Sequence, residues 1–147
     1  MGQPTVTALV PATATPTPLP PTEALQTEIA TGATLHGHIW GMDLIPLADG
    51  TQFTIRDALT ASSLVDVQSD AYQMFKAIWT GAKYQIPSDW KIHLVFAVGA
   101  TDQGPGTPIA VANLTYQTAQ GFPWAQLSPA QAWRRYDGTL YNPSGVS

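Results

Sequence analysis

The chain has 147 residues, 44% of them apolar and only 11% charged, with a net charge of −4. That apolar share allows a core of ordinary size and excludes wholesale disorder. Six Lys and Arg in the whole chain cannot lay down a phosphate-tracking surface, which excludes nucleic acid as an expected partner and electrostatic docking on anionic lipid.

There is no cysteine. Disulfides, thiolate nucleophiles and Cys-ligated zinc are therefore out of reach. No apolar run approaches the roughly 18 residues that cross a bilayer as a helix, so no transmembrane segment is expected. A surface solvated by hydroxyls and amides rather than charges suits an exported protein, and an extracytoplasmic, secreted or cell-surface location is the expectation.

Residues 1–21 carry six Pro and five Thr and no charge. Pro fixes φ and removes backbone donors, which points to an extended spacer. Only TVTALV (5–10) in this stretch has the pattern of an edge strand. Met1-Gly2-Gln3-Pro4 and the Thr/Pro run resemble the start of a mature bacterial lipoprotein, with Met where the lipidated Cys stands. The resemblance covers the tail alone and implies a tether to a cell surface. PTEALQTEIATG (21–32) then offers a short helix capped by Thr22 and stopped by Gly32. It holds the chain's two glutamates, Glu23 and Glu28. Residues 1–32 are assigned to a Thr/Pro-rich tail or stalk, and 33–147 to one globular domain.

Residues 34–47 suit a strand. Asp49-Gly50 is a hairpin signal, with 52–55 returning and Asp57 opening a turn. Leu64, Val67, Ala71, Met74, Phe75, Ile78 and Ala82 recur at spacings of three and four, predicting a helix with Ser63 as its cap and Gly81 near its stop. WKIHLVFAV (90–98) alternates as a strand, and IAVANLTYQ (109–117) returns across a Gly/Pro loop. GATDQGPGT in that loop lacks the Lys-Ser/Thr ending of a phosphate-binding loop. Ser128-Pro129-Ala130-Gln131 begins a short helix, and Leu140-Tyr141 suits a last strand. This order predicts an α+β domain, an antiparallel sheet of about five strands with one main helix on one face. A β-sandwich with an inserted helix is the alternative.

Chemistry concentrates at few positions. His36 and His38 lie two apart on one strand and point the same way, and His93 lies on another strand. Together with a water, the three imidazoles have the composition of an open zinc site, and Asp43 would join only across a bulge. No G-x-S-x-G motif is present, and most of the eight aspartates occupy turns or caps. Among the five Trp, Trp79, Trp90 and Trp133 read as core, while Trp40 and Trp124 are the candidates for ligand binding. The expectation is a non-catalytic, surface-tethered binding or interaction domain without a cofactor, its partner a protein or carbohydrate at the cell surface. Two alternatives stand: a homo-oligomer or filament assembled through the N-terminal segment, and a small enzyme using zinc or a similar ion at His36, His38 and His93.

Overall fold

In the computed structural model, described at Glu23, Thr27, Ile29 and residues 37–81, 86–104 and 106–146, the hairpin signal at Asp49-Gly50 joins strands β1 (Gly37–Leu47) and β2 (Gly50–Leu59). The main helix α1 (Leu64–Gly81) follows, then β3 (Trp90–Val98) and β4 (Thr107–Thr115). A one-turn helix α2 (Tyr116–Ala119), a 3-10 turn (Trp124–Gln126), the short α3 (Pro129–Trp133) and β5 (Gly138–Tyr141) complete the order.

The five strands form one sheet in the sequence order β1-β2-β3-β4-β5. The expected α+β class is what the chain adopts, and the sandwich alternative is not. The sheet is mixed rather than purely antiparallel. β2 and β3 run parallel, pairing Thr51 with Trp90 through to Leu59 with Val98, while the other neighbours are antiparallel. The cause is α1: a helix between two adjacent strands carries the chain back along the sheet, so the next strand enters in the same direction.

Periodicity decides which side of the sheet is buried. Phe53 and Ile55 of β2, and Ile92, Leu94 and Phe96 of β3, are fully buried. They meet Val67, Ala71, Met74, Phe75 and Ile78, the apolar stripe of α1, within one core cluster. Each such large side chain contributes roughly 1.5–3 kcal/mol by leaving water. Ser63 caps α1 through a bond from the Asp66 N–H to its Oγ, at 3.1 Å. Ser128 and Gln131 form a reciprocal capping box at α3.

Two departures from the sequence reading have physical causes. β2 does not turn at Asp57 but runs to Leu59, because β1 and β3 pair with it on both sides along its whole length. The period-two series Phe53, Ile55, Asp57, Leu59 therefore points into the core, acid included. Packing also begins earlier in the chain than the boundary at residue 33. Glu23, Thr27 and Ile29 are helical, and Ile29 is 1% exposed within the core cluster. TVTALV and the rest of residues 1–21 lie outside the described residues.

Gly50 closes the first hairpin where no side chain fits. A Cβ there would lie 2.0 Å from the carbonyl oxygen of Asp89, an oxygen that accepts the Thr51 N–H at 3.2 Å. Gly50→Ala must push the β2 and β3 starts apart, and overpacking of this kind costs typically about 1–3 kcal/mol. Chemical denaturation reads this directly; a midpoint equal to the parent's would show that the turn moves freely.

Candidate functional site

His38 and His93 do not converge. His38 is exposed on β1 opposite Ala58, whose neighbour on β3 is Ala97, whereas His93 pairs with Thr54 of β2. The two histidines are thus four residues apart along the strands, roughly 13 Å, and two strands apart across them, about 10 Å. They cannot ligate one ion, so a site made of His36, His38 and His93 together is not what this topology builds. His36 lies outside the described residues. Nδ1 of His93 instead bonds the Asn113 side-chain oxygen at 2.5 Å. The register shift between Ile39 and Gly41 is the bulge that puts Asp43 on His38's side of the strand. Asp43 there pairs with Arg56. Among the described residues no cluster of three or more His, Asp or Glu side chains has metal-holding geometry.

Trp40 and Trp124 are also separated. Trp40 is 39% exposed, and its indole N–H donates to the Thr101 carbonyl in the β3–β4 loop, at 3.1 Å. Trp124 sits at the opposite end of the nine-residue β3, roughly 25 Å away. No common stacking platform joins them. Trp79 and Trp133 are buried, and Trp90 packs partly buried against the core, as read from the sequence.

Trp124 belongs to a cavity of about 470 Å³ beside the C-terminal turn of α1. Trp79, Tyr116, Phe122 and Trp124 give it aromatic walls, and Thr80 and Gln120 are exposed at its margin. The rings are set at angles that leave edges and faces presented to the space. Trp79 meets Tyr116 edge-on, with centroids 5.6 Å apart at 75°. Phe122 and Trp124 lie 4.3 Å apart, tilted by 39°. Such quadrupole-matched pairs hold a wall rigid without locking it behind a polar bond.

The walls are fixed from behind. Tyr72 of α1 donates its hydroxyl to the Trp124 carbonyl at 2.5 Å. The Asp137 carboxylate accepts from the Thr115 N–H and from the Thr118 hydroxyl, both at 2.6 Å. It thereby pins the start of α2, and with it Tyr116 and Gln120. Tyr136 packs against Phe75 at 4.8 Å and Phe122 at 5.8 Å, giving the wall a second aromatic layer. Burial, and then the neighbouring Tyr72, hold the Tyr136 hydroxyl above the usual phenol range. The Trp79 indole N–H is buried without a hydrogen-bond partner, as is the Tyr136 hydroxyl. Sequence reading classed Trp79 as core, and it is, yet the same ring forms a cavity wall. The signal was the density of aromatics between Tyr116 and Tyr136, which periodicity does not register because the segment is built of turns.

A second cavity, about 510 Å³, adjoins the first and shares Tyr116 and Gln120 with it. Its lining mixes polar and apolar groups: Asp49 from the β1–β2 turn, Ser88, Asp89 and Lys91 around the start of β3, and Gln117 of α2 stand beside Leu47 and Trp90.

The remaining unusual chemistry is inside the core. Asp57 of β2 and Asp70 of α1 are both fully buried. Burial above all, and then the neighbouring Asp70 carboxyl, push the Asp57 pKa up to about 9. Neither Asp57 oxygen has a partner at ordinary hydrogen-bond geometry, so the environment tolerates the neutral acid and not the anion. No protein family, curated protein or solved structure matches this chain, and the functional reading therefore stands on the site itself.

Proposed function

We propose that this protein is a non-catalytic binding domain held outside the cytoplasm by its Thr/Pro-rich N-terminal segment, and that its ligand enters the aromatic cleft at the end of α1. The observation that carries the reading is the cleft's make-up: a preformed cavity of about 470 Å³, within the usual range for ligand sites. Its described lining offers rings, hydroxyls on Thr80 and Tyr116 and one amide on Gln120, with no carboxylate or imidazole beside a nucleophile. Binding groups are present there and reacting groups are not.

The neutral dye Nile red is a suitable probe of the cleft. It is expected to bind the native chain with energy transfer from Trp79 and Trp124. Thr80→Trp, a change at an exposed position on the margin, should block it and leave the melting temperature near the parent's. No dye uptake, or equal uptake by the blocked variant, sinks the assignment. Deleting residues 1–20 should change neither dye binding nor the number of protomers per particle that light scattering gives. A fall in protomer number on truncation would instead favour assembly through the N-terminal segment.

A further inference from the structure

We propose that the aromatic cleft and the groove beside it form one composite site for a neutral saccharide, an inference that rests on the cleft being the ligand seat. The two cavities meet at Tyr116 and Gln120. A ligand crossing that junction passes from aromatic walls to hydrogen-bonding side chains within one contiguous surface.

The chemistry of that passage matches a sugar better than a wholly apolar ligand. A pyranose has faces of polarised C–H groups, which stack on aromatic rings, and a rim of vicinal hydroxyls that donate and accept together. Carboxylates and amides bridge adjacent hydroxyls because their two polar atoms share one plane. Asp49, Asp89 and Gln117 in the groove, with Gln120 at the junction, are of that kind. The unpartnered N–H of Trp79 supplies a buried donor on the aromatic side. A hydroxyl that reaches it relieves the cost of leaving a polar group unsatisfied.

Charge narrows the class. The groove sets two carboxylates, Asp49 and Asp89, against one ammonium, Lys91, within a chain of net charge −4. Anionic sugars and phosphates are disfavoured by that balance, which leaves neutral saccharides. Each cavity has room for a hexose ring, so a short oligosaccharide laid across the junction would use both.

The test uses the full chain and a panel of neutral oligosaccharides, including β-glucans, xylans, mannans and chitin fragments, screened by calorimetry and by tryptophan fluorescence. At least one is expected to bind and to shift the tryptophan emission. Asp89→Ala and Gln120→Ala should each weaken that binding by about tenfold or more, as loss of charged or multiple hydrogen bonds does, at unchanged melting temperature. The backbone carbonyl of Asp89, which serves the hairpin, is untouched by that substitution. No neutral sugar bound at roughly 10 mM, a ceiling that corresponds to negligible affinity, overturns the proposal. So does a preference for an aromatic peptide or an anionic glycan. If Nile red still enters and is blocked by Thr80→Trp, the cleft remains the seat and only the ligand class has failed; if the dye fails too, the seat itself is wrong.

Discussion

Asp57→Asn is expected to make the protein less stable than its parent near pH 4 and more stable near pH 8. The sign follows from linkage. In the unfolded chain Asp57 titrates at about 3.8, whereas in the fold its pKa is pushed up to about 9. Between those values the folded state holds a proton that the unfolded state has released. Stability from this group is therefore complete below the lower value and is lost as pH rises through the upper one. Each pH unit in that window removes up to about 1.4 kcal/mol. A buried amide has a fixed cost of its own, roughly 1–3 kcal/mol, but that cost does not change with pH. The two stability curves should thus cross within the window. Asp57→Leu should flatten the pH dependence in the same way without the amide's cost. Urea midpoints at pH 4, 6 and 8 decide the matter: parallel curves for parent and variants would show that Asp57 does not carry the proton.

That acid also marks where sequence reading stopped. The helix α1 was legible from Leu64 onward because apolar spacing of three and four survives any tertiary context, and Ser63 and Ser128 were legible as caps because capping is local. Asp70 lay on the same stripe, three residues after Val67 and four before Met74, and its charge concealed a core position. Asp commonly makes turns, which hides the core position of Asp57, although the series Phe53, Ile55, Asp57, Leu59 keeps period two. In both cases a local preference was overruled by pairing and packing on either side. The expected sheet was antiparallel throughout; the parallel β2–β3 pairing follows from the helix between those strands, a consequence of connection geometry rather than of any residue.

The site was legible only in pieces. Trp124 is a ligand-binding candidate in the sequence, and it does line a cavity, although the residue is only 8% exposed. Its partners Trp79, Tyr116 and Phe122 come from a helix end, a one-turn helix and a loop. No periodicity links three such segments, and only the fold of the chain at the end of the sheet brings them together. His38 and His93 show the converse. Two residues that share a chemistry and a face in the sequence are set apart by register, which a sequence specifies only through all of its strands at once.

Ile29→Ala is expected to lower stability by about 2–4 kcal/mol, the range for truncating a fully buried aliphatic side chain. For a domain of this size that corresponds to a fall in melting temperature of roughly 5–15 °C. A helix of a dozen residues or fewer is marginal in water by itself, whereas Ile29 is 1% exposed and shares the cluster that holds Phe53, Met74 and Ile92. Burial in that cluster, not helix propensity, is what holds Ile29 in place. Calorimetry on Ile29→Ala beside the chain lacking residues 1–20 separates the two parts of the N-terminal segment. The substitution should shift the melt and the truncation should not. An unshifted melt for Ile29→Ala would mean that the domain is complete without residue 29, returning the boundary to residue 33. A shifted melt places the start of the packed domain at or before Ile29.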